Sequence, residues 1–120
     1  MSKKTLVIGA SLKVDRYSNF VIHKLINHNH EVIAIGLKEG DIGGVTIETE
    51  LLPFEDVDTV TLYLNPKRQK PYYDYIKDLK PNRVIFNPGT ENPEFYELLK
   101  EAGIHVEIAC TLVLLSTNQY

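Results

Sequence analysis

The residues best suited to chemistry stand near the start of the chain, where an apolar, β-branched run breaks into Gly9, Ala10 and Ser11. A glycine at the end of a strand lets the backbone turn sharply and approach a ligand closely. The amide groups of the following loop and helix start then face an anion. Because only one glycine of the dinucleotide-binding pattern is present, the motif indicates a phosphate group without specifying the nucleotide.

Cations follow several of the predicted strands and favour an anionic ligand. Although the chain has a formal net charge of -3, six of its 13 Lys and Arg residues fall there, namely Lys13, Arg16, Lys38, Lys67, Arg68 and Lys70. Cations near a helix start, such as Lys67 and Arg68, oppose the helix dipole by about 0.3–1 kcal/mol each, and a bound anion would reverse that sign. Lys38 stands where NAD-binding proteins normally carry an acid. It suits the phosphorylated ribose of NADP or coenzyme A, although Glu39 beside it opposes this.

Further polar and turn-forming residues are predicted beside these cations, at the edge of the sheet where the carboxyl ends of the strands lie. They are Ser18 as the cap of the first helix, Gly36 at the end of the second strand, Asn65 and Pro66 after the third, and Asn87 and Gly89 after the fourth. Pro88 and Gly89 suit the two central positions of a type II turn. That turn either shapes the connection or offers backbone groups to a phosphate or a pantetheine arm.

Catalytic and metal-binding patterns are missing from the sequence. His28 and His30 do not share a helical face, and the chain has a single cysteine, so we predict no metal site. We also predict no catalytic set of nucleophile, base or paired carboxylates. If Cys110 begins a helix, its thiol could form a mixed disulfide with a thiol cofactor. Otherwise it is a small buried apolar residue.

Strand and helix patterns alternate along the chain. Strands are predicted over residues 5–8, 31–35, 58–64, 83–86 and 104–108, with a short, half-exposed strand over 45–49. Helices are predicted from Ser18 to a left-handed Asn29, from Pro71 after a loop or single turn, and from an Asn92 cap to Ala102. Residues 110–115 suit either a strand or a final helix.

This order predicts an α/β, Rossmann-like, doubly wound single domain over residues 1–120, with a mostly parallel five-stranded sheet and helices on both faces. Ligands of such sheets bind beyond the carboxyl ends of the strands, where the strand order reverses. The single cysteine fits a reducing, cytoplasmic location. The net charge does not favour nucleic acid, and no apolar run reaches membrane-spanning length.

Several motifs together resemble the small stand-alone CoA-binding domain family, whose fold is similar to the N-terminal domain of the succinyl-CoA synthetase alpha subunit. Over about residues 4–115, the matching motifs are Val7-Ile-Gly-Ala-Ser11, Arg16 with Ser18, Glu31-Val-Ile-Ala-Ile35, Ile42-Gly-Gly, Asp58-Thr-Val, Asn65-Pro66, Gly89, Ala102-Gly-Ile104 and Cys110. The chain departs from the family after the second strand, where it has Gly36-Leu37 in place of Asn-Pro.

The resemblance implies that coenzyme A lies across the point where the strand order reverses. Residues 9–11 would then contact the phosphates, Arg16 and Ser18 would add donors, Lys38 would lie near the nucleotide, and Asn65-Pro66 would flank the adenosine or the arm. We therefore expect a non-catalytic module that binds CoA or an acyl-CoA. One alternative is a small NADP-dependent oxidoreductase or redox sensor. Another is a regulatory or interaction domain without ligand, with a protein partner or a second copy.

Overall fold

A single sheet carries every strand of the computed structural model, which describes residues 2–120. Its seven strands are β1 (Thr5–Ala10), β2 (Val32–Gly36), β3 (Gly40–Ile42), β4 (Val45–Glu48), β5 (Thr59–Leu62), β6 (Arg83–Phe86) and β7 (His105–Ile108). The helices of the described residues are α1 (Tyr17–Asn27), α2 (Pro66–Gln69), α3 (Tyr73–Leu79), α4 (Pro93–Glu101) and α5 (Thr111–Ser116). A 3-10 turn, Lys70–Tyr72, joins α2 to α3. None of these helices is long and apolar enough to cross a membrane.

The strand order explains where a ligand can bind. The order is β3-β4-β2-β1-β5-β6-β7, and every neighbouring pair is parallel except β3 with β4. The chain builds outward from β1 to β2 and β4, and then returns to place β5 on the other side of β1. The order therefore reverses between β1 and β5, which confirms the predicted Rossmann-like α/β arrangement.

The prediction of five strands is wrong, because the sheet has seven. The short strand predicted over residues 45–49 joins the sheet as β4, and β3, predicted only as a turn, pairs with it as an antiparallel hairpin at the edge of the sheet. The turn between them holds Gly43 and Gly44, both at positive φ, and Asp41 Oδ1 accepts a hydrogen bond from the Gly44 amide at 2.9 Å. Gly40 begins β3 beneath the side chain of Leu12, which occupies the space that a Cβ would need. That contact joins distant segments, so the local pattern around Gly40 indicated only a turn.

The first helix starts two residues earlier than its sequence signal. Arg16 is the residue before α1, and Ser18, predicted as the cap, lies buried inside the first turn. The prediction that Asn29 adopts the left-handed conformation after this helix is confirmed by its φ of 64°.

The starts of the later helices were predicted from prolines and asparagines, and one of these starts differs in the structure. Pro66, rather than Pro71, is the first residue of the helical segment, since Asn65 caps α2 there and Pro71 falls inside the 3-10 turn. The predicted cap at Asn92 is confirmed, because its side chain accepts a hydrogen bond from the Phe95 amide. Residues 110–115, which suited two structures, contribute to α5.

Alternating side chains of the strands form a core on each face of the sheet, and helices cover both faces, as predicted. On one face, Leu6, Ile8 and Phe86 pack with residues of α3 and α4. On the other, Val7 and Ile47 pack with residues of α1 and α5. This two-sided packing holds the carboxyl ends of the parallel strands in a fixed row.

Candidate nucleotide-binding site

Gly9 lies one residue before the end of β1 and forms a bulge, named here the Gly9 turn, at the point where the strand order reverses. Gly9 has a φ of +94°, and the register between β1 and β2 shifts there. A Cβ on Gly9 would lie 2.9 Å from the carbonyl oxygen of Tyr63 and 3.2 Å from Leu64 Cδ2. The Tyr63 amide donates to the Ile8 carbonyl at 2.9 Å, which fixes this approach. A glycine is therefore required by both the backbone angle and the neighbouring strand end.

Gly36 has a packing role that the sequence did not reveal. A Cβ at Gly36 would collide with the carbonyl oxygen of Ala10 and would lie 2.9 Å from Ile47 Cγ2. Both Ala10 and Gly36 are buried. They bring the ends of β1 and β2 together, so the loops that carry Ser11 and Lys38 leave the sheet side by side.

The loop after β1 is held by its own polar groups. Ser11 Oγ accepts a hydrogen bond from the Lys13 amide at 3.2 Å, and the Ser11 carbonyl accepts one from Asn19 Nδ2 at 3.0 Å. Asn19 is buried in α1, and the sequence analysis missed it. Its signal is a polar residue beside the apolar face of that helix. Lys13 and Arg16 are exposed, whereas Ser18 is set back in the helix.

Asn65 and Pro66 build the loop after β5. Asn65 Oδ1 accepts a hydrogen bond from the Arg68 amide at 3.0 Å and so caps α2, with Pro66 as the next residue. Lys67 and Arg68 are exposed on this short helix. A capping side chain is already engaged with the backbone, so the polar groups that this segment can offer a ligand are mainly the two cations.

The lysine and arginine side chains beyond the carboxyl ends of the strands are available to bind an anion. Ion pairs within residues 2–120 join Lys4 to Glu31, Arg83 to Glu107, and Lys100 to Glu97. None of these pairs uses a cation of the edge, where Lys13, Arg16, Lys38, Lys67 and Arg68 are all exposed. A polyanion that bound there would gain charge-assisted hydrogen bonds without breaking an existing pair.

Asn87 is buried and holds the carboxyl ends of neighbouring strands together through hydrogen bonds. It is 2% exposed, and its Nδ2 donates to Thr61 Oγ1 at 2.7 Å and to the Leu62 carbonyl at 2.9 Å. Its Oδ1 accepts from the Thr111 amide at 2.9 Å. These bonds use its side chain to join β5, β6 and the start of α5. Asn87 therefore shapes the site rather than presenting its amide to a ligand.

The turn that follows β6 is the type II turn that the sequence predicted. Gly89 has a φ of +91°, and the Thr90 amide donates to the Asn87 carbonyl at 3.0 Å. The space that a Cβ of Gly89 would occupy is open. A ligand could therefore approach this backbone closely, which the sequence analysis proposed as one of two roles for the turn.

Gln69 is the largest omission of the sequence analysis. It is fully buried, although it belongs to a short, cation-rich segment. Its Nε2 donates to the carbonyls of Leu64 at 2.8 Å and Thr90 at 2.7 Å, and its Oε1 accepts from Asn92 Nδ2 at 2.9 Å. Nothing in the local sequence distinguishes this side chain from an exposed helical glutamine.

Tyr63 follows β5 and Cys110 follows β7, and each carries a group that can ionise. Burial raises the pKa of Tyr63 well above its ordinary value, so its phenol stays protonated and adds no negative charge. Cys110 is partly buried and directly precedes α5, where its carbonyl accepts a hydrogen bond from the Leu114 amide. Its predicted reactivity toward a thiol cofactor stays a prediction.

Two other grooves lie away from the candidate site. One of about 470 Å³ runs beside α3 between Phe54, Tyr75 and Leu79, and one of about 600 Å³ lies near the amino ends of the strands, beside Lys4 and Asp58. Neither groove includes a predicted site residue. The candidate site is thus recognised by topology, the Gly9 turn and the unpaired cations, and not by cavity size.

Comparison with known proteins decides the family. Residues 3–116 match the model of a family described as CoA binding domain. The chain belongs to this CoA binding domain family. A search of curated proteins found no match.

Solved structures similar to this CoA binding domain include a crystal structure of an uncharacterized protein. It is 50% identical, with a TM-score of 0.97, over 100% of this chain and 99% of that chain. A hypothetical protein from Pyrococcus horikoshii OT3 is 26% identical, with a TM-score of 0.86, over 97% and 83% of the two chains. Aspartate dehydrogenase from Thermotoga maritima is 22% identical, with a TM-score of 0.63, over 98% of this chain and 51% of that one. This last likeness shows the fold alone.

The edge of this CoA binding domain fits the chemistry of its family's ligand. Coenzyme A carries a diphosphate and a ribose 3′-phosphate. The Gly9 turn stands at the reversal of the strand order, and the surrounding cations are unpaired within residues 2–120. Both features suit a ligand with several negative charges.

Proposed function

We propose that this chain binds coenzyme A or an acyl-CoA at the carboxyl edge of its sheet and catalyses no reaction. The observation that carries the proposal is the Gly9 turn, which stands at the reversal of the strand order in a chain of the CoA binding domain family. In sheets of this type, ligands bind beyond the carboxyl ends of the strands at that reversal.

The phosphates are assigned to the loops after β1 and β2. Backbone amides of residues 9–11 face the diphosphate, since the positive φ of Gly9 turns the end of β1 at the reversal of the strand order. Lys13 and Arg16 balance its charge. Lys38 pairs with the ribose 3′-phosphate, because it lies after β2 in the loop that Gly36 brings beside the first one.

The pantetheine arm is assigned to the other side of the reversal, between the loops after β5 and β6. The turn at Gly89 is exposed there, with its amide donating to Glu91 Oε1 at 2.9 Å, and the cations Lys67 and Arg68 flank the entry. Asn65 and Asn87 hold the two loops in place through the hydrogen bonds that occupy their side chains.

A thermal-shift comparison tests the proposal. The chain is heated with CoA, acetyl-CoA, dephospho-CoA or NADP, and dissociation constants are then measured by calorimetry. A ligand at 100 times its dissociation constant adds about 2.7 kcal/mol of stability. We expect CoA and acetyl-CoA to stabilise the chain and dephospho-CoA to bind more weakly.

Lys38→Ala separates the proposed 3′-phosphate contact from a general charge effect. This variant should lose the preference for CoA over dephospho-CoA, whereas Lys77→Ala, a change in the last turn of α3, should keep it. An absence of stabilisation by CoA would refute the proposal. A response to NADP alone would support an oxidoreductase or redox sensor instead.

A further inference from the structure

A buried glutamine joins the two loops that receive the arm in the proposed function. Gln69 is 0% exposed, and its Nε2 donates to the carbonyl of Leu64 after β5 and to the carbonyl of Thr90 after β6. These segments lie 26 positions apart in the chain but are held by the two hydrogens of one amide. The bond lengths are 2.8 and 2.7 Å.

The orientation of this amide is fixed by its third partner. Gln69 Oε1 accepts a hydrogen bond from Asn92 Nδ2 at 2.9 Å, and Asn92 Oδ1 accepts from the Phe95 amide at 3.3 Å. Asn92 Nδ2 also donates to the Tyr73 hydroxyl at 2.7 Å. If the Gln69 amide were flipped, its oxygen would face two carbonyl oxygens. The side chain is therefore locked from both ends.

Both anchor points of Gln69 lie directly beneath the candidate site. Leu64 Cδ2 would be 3.2 Å from a Cβ on Gly9, so the segment that Gln69 holds packs against the phosphate-binding turn. On the other side, Thr90 Oγ1 donates to the Asn87 carbonyl at 2.8 Å and closes the turn that contains Gly89. The distance between these two backbones therefore depends on the length and donors of one side chain.

We propose that Gln69 is a positioning residue that sets the spacing of the loops after β5 and β6, and through it the affinity for the pantetheine arm. This inference rests on the proposed function. Because Gln69 is fully buried, it acts through the backbones of Leu64 and Thr90 and not by touching the ligand. It therefore affects the arm, which lies between the two loops that Gln69 joins, more strongly than the nucleotide.

Two ligands distinguish such a role from a general loss of stability. Adenosine 3′,5′-bisphosphate contains the adenosine, the 3′-phosphate and the first 5′-phosphate of CoA but lacks the second 5′-phosphate and the pantetheine arm, so it would use only the loops after β1 and β2. In Gln69→Leu the carbonyls of Leu64 and Thr90 lose their donors. We expect calorimetry to show CoA binding weakened at least about tenfold, with bisphosphate binding changed by less than about twofold.

Thr59→Val is the matched control, since Thr59 is also 0% exposed and hydrogen-bonded but stands at the opposite end of β5. It should leave the ratio of the two affinities unchanged. Equal weakening of both ligands in Gln69→Leu, or the same change of ratio in Thr59→Val, would overturn the inference.

Gln69→Glu keeps the test decisive if the leucine variant fails to fold. A carboxylate would face two carbonyl oxygens at neutral pH, whereas its protonated form can donate one hydrogen bond. The ratio of CoA to bisphosphate affinity should therefore recover as the pH falls, and a ratio that does not depend on pH would refute the role. If the unmodified chain does not bind CoA, the proposed function fails as well. If it binds CoA and both variants keep its ratio, this inference alone fails.

Discussion

Replacing Gly9 with alanine tests the geometry on which the candidate site depends. The new Cβ meets two separate obstacles. The φ of +94° lies in a region that L residues rarely adopt, and the carbonyl oxygen and carbon of Tyr63 lie 2.9 and 3.0 Å from the Cβ position. Both obstacles are backbone features, so a side-chain rotation cannot relieve them.

The expected magnitude follows from these two contributions. A left-handed backbone costs an L residue about 1–2 kcal/mol. Overpacking against a fixed neighbour typically adds about 1–3 kcal/mol. We therefore expect Gly9→Ala to lower the free energy of unfolding by about 2–5 kcal/mol, a large part of the roughly 5–15 kcal/mol available to a domain.

Gly89→Ala is a control that isolates the contact from the backbone angle. Gly89 has a φ of +91°, close to that of Gly9, but no atom lies within 4 Å of its Cβ position. It should therefore cost only the first contribution, about 1–2 kcal/mol. Urea unfolding followed by circular dichroism measures both variants, and the difference between them gives the contact with Tyr63.

Equal destabilisation of the two variants would refute this reasoning. It would mean that the strand ends move apart freely, so that the close approach of Gly9 to Tyr63 is not a rigid feature. CoA affinity provides a second readout. Gly9→Ala should weaken CoA binding even where the protein remains folded, because the change alters the turn that the proposed function assigns to the phosphates.

Two further predictions concern buried polar groups and pH. Asn87→Ala removes three buried hydrogen bonds, although Thr61 Oγ1 keeps its bond to Thr111 Oγ1, and should cost about 2–4 kcal/mol in urea unfolding. The exposed cap variant Asn65→Ala should cost about 1 kcal/mol, and similar losses would contradict the role assigned to Asn87. Burial lowers the pKa of His30, assisted by the charges of His28, Lys3 and Arg83, and its Nδ1 accepts a hydrogen bond from the Lys3 amide. Because the unfolded chain then binds the proton more readily, the free energy of unfolding should fall as the pH drops below about 6.5. His30→Gln should flatten this decline between pH 8 and 5, and an unchanged slope would exclude His30 as its cause.

Local signals predicted the parts of the fold that depend on a few adjacent residues. The β-branched run of β1, the left-handed Asn29 and the Asn92 cap with Pro93 all act within one turn or strand, and all three are confirmed. Strand β4 matches the short strand predicted over residues 45–49, whereas β3 was missed because Gly40 begins it under the side chain of Leu12, 28 positions earlier. Contacts of that range leave no periodicity in the sequence.

The residues of the candidate site also divide into those that have a local sequence signal and those that depend on distant contacts. Exposed cations and the Gly9 turn carry local signals and were predicted, although their contact with a ligand stays a prediction. Asn19 and Gln69 were missed because their partners define them: Asn19 donates to Ser11 across a loop, and Gln69 donates to Thr90 across two strands. In a single sequence, such residues are indistinguishable from helical polar residues that face solvent.

Glycine shows most clearly why the sequence alone cannot assign roles at this edge. Gly9, Gly36 and Gly89 all lie at or near the carboxyl ends of strands, and all were interpreted as ligand contacts. A Cβ would meet a neighbouring backbone at Gly9 and at Gly36, yet only Gly9 and Gly89 have a positive φ, and only Gly89 faces open space. Gly36 is thus needed for packing, Gly89 for its turn, and Gly9 for both reasons at once. A close approach of strand ends at the point where the order reverses is therefore what distinguishes the Gly9 turn from the other two.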